Sequence, residues 1–271
     1  MNPNQALWEQ GDFTRIAQSM RTSGEELVAR LGLGQGLRVL DLGCGDGTTA
    51  LPAARRGADV LGVDIARNLV DAGNRRADEA GLANLRFERG DACDLAGIED
   101  DGFDRAVSIF GAMFAPDPFA VAREMVRVTK PGGRVVMGNW IPGDPTLVAQ
   151  LLRISSAYSP PPPDGFISPM TWGVPDQVVE RFTAAGVASE RVTCEPDTWV
   201  FDSPQSPTQL LAQFREFYGP TMNAFAAAEA SGRADELWQE LEVLFEEQNT
   251  STDPESSTRI AATYLRVAVE V

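Results

Sequence analysis

A short, largely apolar run from Leu37 to Leu42 leads directly into three alternate glycines, Gly43, Gly45 and Gly47. An alanine-rich helical stretch follows from Thr48 to Arg56. No other part of the chain restricts the fold so strongly. A buried strand that ends in a glycine turn and restarts as a helix is the opening of a βαβ unit. Glycines permit the tight turn and let a ligand approach the backbone closely. In open α/β sheets that turn lies at the carboxyl ends of the strands, where ligands bind.

The same rhythm repeats for about a hundred residues. The pattern predicts strands at Ala58 to Asp64, Leu85 to Glu88, Phe103 to Phe110 and Arg134 to Trp140, with helices at Ala66 to Ala80 and Phe119 to Val128. Lys130-Pro131-Gly132-Gly133 ends the last of these helices. Such alternation gives a parallel sheet with right-handed crossovers, hence a doubly wound α/β fold of Rossmann-like type with helices on both faces. Upstream, Leu7 to Leu31 has helical periodicity, with a break expected around Thr22-Ser23-Gly24. Downstream, Ser159-Pro160-Pro161-Pro162-Pro163 marks an insertion that cannot be helical at that point. Asp176 to Ala185 reads as a helix, Arg191 to Cys194 and Trp199 to Phe201 as short strands, and Pro204 to Asn249 as mostly helical. Tyr264 to Val271 alternates as a terminal strand. The expected organisation is a helical lid (1–36), a ligand-binding core (37–140), an insertion (141–175), and the rest of the sheet with a helical covering segment (176–271).

Composition excludes several functions. The net charge of -16 and the scattered basic residues, of which only Lys130 is a lysine, argue against a nucleic-acid partner. The chain contains no histidine, which removes Ser-His and Cys-His nucleophile pairs, histidine bases and most catalytic zinc sites. Three scattered cysteines, Cys44, Cys93 and Cys194, form neither a disulfide framework nor a metal pattern. No signal-peptide pattern or membrane-length apolar run is present, so a soluble cytoplasmic protein with a small-molecule substrate is expected. Homodimerisation stays open.

Two nucleotide loops compete for the glycine turn. A dinucleotide fingerprint needs Gly or Ala where Thr48 stands, and a phosphate loop needs a Gly-Lys pair that is absent. Asp41, just before the first glycine, would repel a pyrophosphate and suits a cationic ligand.

Asp41-Leu42-Gly43-Cys44-Gly45-Asp46-Gly47 closely resembles the first motif of the class I S-adenosylmethionine-dependent methyltransferases. The resemblance extends in order over residues 37–140. Val60-Leu61-Gly62-Val63-Asp64 matches the acidic end of the second strand, Gly90-Asp91-Ala92 the adenine-side motif, Phe103 to Phe110 the fourth strand, and Lys130-Pro131-Gly132-Gly133 a structural hallmark before the fifth. It implies a mostly parallel seven-stranded sheet and S-adenosyl-L-methionine as cofactor. It places Asp41, Gly43, Cys44 and Gly45 at the methionine end and Asp64 on the ribose hydroxyls. Ile65 would pack on the adenine, Asp91 and Ala92 would sit at the adenine edge, and Ser108, Ile109 and Phe110 would border the cofactor. Gly11-Asp12-Phe13, Phe110-Gly111-Ala112-Met113-Phe114 and Trp172-Gly173 are more loosely similar to the ubiquinone/menaquinone-biosynthesis branch. A quinone substrate does not follow from this.

With an activated methyl group supplied by such a cofactor, the protein mainly aligns the reacting atoms. A base is needed only when the nucleophile holds a proton at neutral pH. No catalytic base is assigned. The aromatic and methionine-rich outer segments suggest an apolar or aromatic acceptor, methylated on O, N or C. Trp8, Phe13, Met113, Phe114, Trp140, Phe166, Trp172 and Tyr218 are the candidate substrate-binding residues, with Met170, Met222 and Phe225 as further lid candidates. Two other readings remain: a cofactor-binding module without turnover, and a nicotinamide oxidoreductase, against which Thr48 and Asp41 both argue.

Overall fold

The computed structural model describes residues 5–271. Strands β1 (Arg38–Leu42), β2 (Asp59–Asp64), β3 (Leu85–Arg89), β4 (Phe103–Ile109), β5 (Thr129–Trp140), β6 (Val192–Ser203) and β7 (Thr258–Glu270) form a single sheet in the order β3-β2-β1-β4-β5-β7-β6. The first five are mutually parallel; β7 runs antiparallel to both β5 and β6. Strand order reverses next to β1, which places the glycine turn at the topological switch point where ligands bind such sheets.

Helices on both faces bury the central strands, so β1 and β2 are buried at nearly every position. Helices α4 (Ala50–Arg55), α5 (Arg67–Glu79) and α6 (Pro118–Val128) make the crossovers. Helix α6 starts where Asp117 accepts the Ala120 N–H (2.9 Å) and Pro118 takes the first helical position, where no amide proton is needed.

The amino-terminal segment forms three helices, α1 (Gln5–Gln10), α2 (Thr14–Gln18) and α3 (Arg21–Arg30). The expected break at Thr22-Ser23-Gly24 falls inside α3. Gly24 is there for contact rather than for a bend: a Cβ on it would meet the Thr48 carbonyl oxygen at 2.5 Å, so the helix lies directly on the segment that follows the glycine turn.

The two short strands expected at 191–194 and 199–201 are one strand, β6, running through Pro196. β6 pairs only with β7, and an edge strand tolerates a residue that cannot donate to a ladder. Part of its open edge is closed by α3. The Ser23 hydroxyl donates to the Val200 carbonyl and accepts the Val200 N–H, both at 2.9 Å. The terminal strand begins earlier than its alternation predicts, at Thr258.

The 141–175 insertion holds a helix, α7 (Leu147–Tyr158), before its prolines. Its apolar face packs on α10 (Gly219–Ala230), α11 (Ala234–Gln248) and β7. Helices α8 (Pro175–Ala184) and α9 (Pro207–Phe217) complete the set. Among the described residues no helix is long and apolar enough to cross a membrane.

Candidate cofactor and acceptor site

The glycine turn after β1 is held to the end of β2 by backbone bonds. The N–H groups of Gly43 (2.7 Å) and Cys44 (3.2 Å) both donate to the Val63 carbonyl. Gly43, Gly45 and Gly47 all have positive φ, which a β-carbon would strain. Asp64 then locks the turn: its carboxylate accepts the Gly45 N–H (2.8 Å) on one oxygen and the Ala66 N–H (2.9 Å) on the other. At the outer side, Asp46 is buried between two arginines, Arg21 of α3 and Arg76 of α5, and Arg21 also donates to the Thr48 hydroxyl (2.9 Å).

Above this turn lies an open cavity at the carboxyl ends of the central strands, where such sheets bind ligands. Of the residues expected at the cofactor, Asp41, Gly43, Cys44, Gly45, Asp64, Ile65, Ala92, Ile109 and Phe110 line it. Two do not. The Ser108 hydroxyl donates to the Leu42 carbonyl (2.6 Å) and accepts the Ala112 N–H (3.0 Å), tying β1 to the turn after β4. The Asp91 carboxylate accepts the Cys93 N–H (2.9 Å), and its neighbours Gly90 and Ala92 reach the cavity instead.

Asp41 is 2% exposed, and its Oδ2 is buried without a partner. Burial, aided by the nearby Asp64 charge, pushes its pKa up to about 7. Burial likewise raises that of Asp64, against the backbone N–H groups that stabilise its charged form. A buried carboxylate oxygen without a partner is costly, and a cationic ligand relieves that cost. This donor set therefore fits an amino-acid sulfonium and opposes a pyrophosphate.

A second, smaller cavity adjoins the first. Trp8, Phe13, Met20, Phe110 and Phe114 line both, so the two share a wall. Trp140 and Tyr218 line the smaller one. Phe110 is central. Its φ is +62°, a left-handed conformation rare for an aromatic residue. Its N–H donates to the Gly138 carbonyl (2.9 Å), and its ring stacks on Trp140 with centroids 3.7 Å apart.

The remaining substrate candidates lie elsewhere. Met113 is fully buried in the core, and Trp172 packs under Phe182 and Arg181. Phe166 is exposed. Met222 lies under Gly11, and Phe225 packs against Trp238. Several lining residues escaped the sequence reading: Met20, Asp46, Thr48, Leu69, Gly111 and Trp199. Asp46 and Thr48 stand inside the motif, and Gly111 beside Phe110 was a readable signal. Met20 and Trp199 come from distant elements with no local mark.

A family model described as a methyltransferase domain matches residues 39–133, from the middle of β1 into β5. An uncharacterised protein of Mycobacterium tuberculosis is 33% identical over 82% of this chain and 79% of its own length. A demethylmenaquinone methyltransferase from a Geobacillus species is 36% identical over 41% of this chain and 49% of its own. Among solved structures, a putative methyltransferase from Bacillus halodurans shares the fold across 92% of this chain and 99% of its own, with a TM-score of 0.57 at 17% identity.

Proposed function

The chain belongs to the class I S-adenosylmethionine-dependent methyltransferases, and from that premise we propose that it methylates an O, N or C atom of a small apolar or aromatic molecule. The observation that carries this reading is the shared aromatic wall between the two cavities. It puts an apolar chamber directly beside the cavity that Asp41 and Asp64 make suitable for the cofactor. S-Adenosyl-L-methionine, when bound, supplies a methyl group already activated on sulfur.

The chain's own residues bind, orient and exclude water. Asp41 accepts the cationic methionine end. Asp64 offers its carboxylate to the ribose hydroxyls while keeping its grip on the glycine turn. Trp8 and Phe13, from and just after α1, roof the site. Among the described residues, Asp41, Asp46 and Asp64 are the carboxylates lining the larger cavity, and no carboxylate lines the smaller one. Asp46 is held by two arginines. Alignment of the acceptor and removal of water then carry the catalysis.

The test is thermal. S-Adenosylhomocysteine at a hundred times its Kd should stabilise the chain by about 2.7 kcal/mol, since a native-state ligand must stabilise. An acceptor panel of apolar phenols, amines and acids should then yield methylated product by mass spectrometry. The absence of any melting shift with either form of the cofactor would overturn the reading. A shift without product from any acceptor would favour a binding module of the same fold.

A further inference from the structure

We infer that the acceptor is an apolar amine whose nitrogen is unprotonated at neutral pH, an aryl amine or a nitrogen heterocycle, and that the aromatic wall of the smaller cavity holds the cation formed on that nitrogen. The inference rests on the methyltransferase reading above and narrows its acceptor.

Three observations carry it. The first is charge. Among the described residues, no lysine or arginine lines either cavity. The charged side chains present are Asp41, Asp46 and Asp64, and Asp46 is already neutralised by Arg21 and Arg76. The protein walls give a phenolate or carboxylate acceptor no counter-ion of their own, so only the cofactor's sulfonium would face it, and burying an anion without protein partners is unfavourable.

The second is the lack of a base. A neutral alcohol or phenol must lose its proton during attack. Among the described residues the smaller chamber offers only the Tyr218 hydroxyl, which burial keeps protonated far above neutral pH. An unprotonated nitrogen needs no base. Its lone pair forms the N–CH3 bond as the CH3–S bond breaks with its electron pair left on sulfur. The positive charge passes from sulfur to nitrogen. From a heterocyclic nitrogen no proton has to leave; from an aryl amine it leaves to water afterwards.

The third is the wall itself. Trp8 lies 5.9 Å from Phe13, 5.0 Å from Phe114 and 6.0 Å from Tyr218, centroid to centroid, and Phe13 lies 6.1 Å from Tyr218. These rings line the chamber, and an aromatic ring attracts a desolvated cation at its face through its quadrupole. They offer an anion nothing comparable.

The test uses the full chain saturated with S-adenosylhomocysteine, so that only the acceptor side is read. N-Methylquinolinium, its neutral isostere 1-methylnaphthalene and the anion 1-naphthoate are titrated by calorimetry. The cation should bind at least tenfold more tightly than the neutral isostere, and the naphthoate more weakly than either. Trp8→Leu and Phe114→Leu should each cut the cation-over-neutral preference by about 2- to 30-fold, the range that cation–π contacts span. With S-adenosylmethionine, quinoline should give N-methylquinolinium, whereas 1-naphthol and 1-naphthoate should give no product. A variant that loses its melting shift with S-adenosylhomocysteine is replaced by Phe13→Leu. Equal or tighter binding of the neutral or anionic ligand, or methylation of the naphthoate, overturns the inference. If the cofactor product binds and the cation preference is missing, this inference alone falls. If the cofactor product does not bind, the methyltransferase reading falls with it.

Discussion

The backbones of Gly43 and Gly111 lie directly against each other: a β-carbon on Gly111 would sit 2.2 Å from the Gly43 carbonyl oxygen, and one on Gly43 would sit 2.6 Å from the Gly111 Cα. This contact joins the turn after β1 to the turn after β4 and closes the floor of the cofactor cavity. Neither glycine has room to move, because the Ser108 hydroxyl bonds both turns from below.

Gly111→Ala should therefore destabilise the chain by about 2 to 3 kcal/mol, the upper range for overpacking a filled interior. Urea unfolding measures the loss, and S-adenosylmethionine affinity should fall with it. A variant as stable as the parent would show that the two turns can separate without cost.

Asp41 gives a signed pH dependence. Its folded-state pKa is raised from the ordinary 3.8 to about 7, so the ligand-free folded chain holds a proton that the unfolded chain has released. Stability falls as pH climbs from about 4 to about 7 and stays lowered above that, by roughly 4 kcal/mol at 1.36 kcal/mol per pH unit. Asp41→Asn should raise the melting temperature of the ligand-free chain at pH 8, leave it nearly unchanged at pH 4, and weaken S-adenosylmethionine binding at least tenfold. Melting curves at the two pH values decide this; a mutant that gains nothing at pH 8 contradicts the assignment.

Asp64 serves two ends, the Gly45 and Ala66 amides and the proposed ribose contact. Hydrogen bonds to a charged group contribute about 1.5 to 3 kcal/mol. Asp64→Ala should accordingly weaken S-adenosylhomocysteine binding by about 10- to 100-fold in calorimetry. Unaltered affinity would remove Asp64 from the ribose.

Arg21 connects the amino-terminal helices to the cofactor loop through Asp46 and Thr48. Arg21→Ala leaves the buried Asp46 with Arg76 as its remaining ion-pair partner, and removing part of a buried network costs several kcal/mol at most. The expected outcome is faster amide exchange across residues 14–30 and a higher KM for S-adenosylmethionine, with kcat less affected. Protection equal to the parent would mean that α3 is held by the contact of its Gly24 with Thr48 and by its bonds to β6 alone.

The βαβ rhythm, the glycine turn, Asp41 and Asp64 were all legible from the amino-acid sequence. Each depends on local chemistry: a positive-φ turn needs glycine, a strand buried on both faces is apolar, and these two cavity-lining carboxylates stand in or at the end of strands. The break expected near Gly24 and the split expected in β6 failed for one reason. Gly24 and Pro196 look like local interruptions, yet the first serves a close approach to Thr48 and the second is tolerated at a sheet edge. Neither partner is near in sequence. The aromatic wall was legible only in part: Trp8, Phe13, Phe114, Trp140 and Tyr218 stood among the candidates and line the smaller cavity, but nothing in the sequence separated them from Met113, Phe166 and Trp172. Trp8, Phe114 and Tyr218 lie on three distant segments, and their residue types alone are as common in cores as in sites. Trp172 and Met113, of the same chemical kind, went to the core. The sequence by itself determined the sheet and the cofactor loop, because those depend on backbone conformation and short-range spacing. Which aromatic rings face the open chamber was decided only by the packing of helices far apart in the chain, since that depends on which apolar faces find each other in three dimensions.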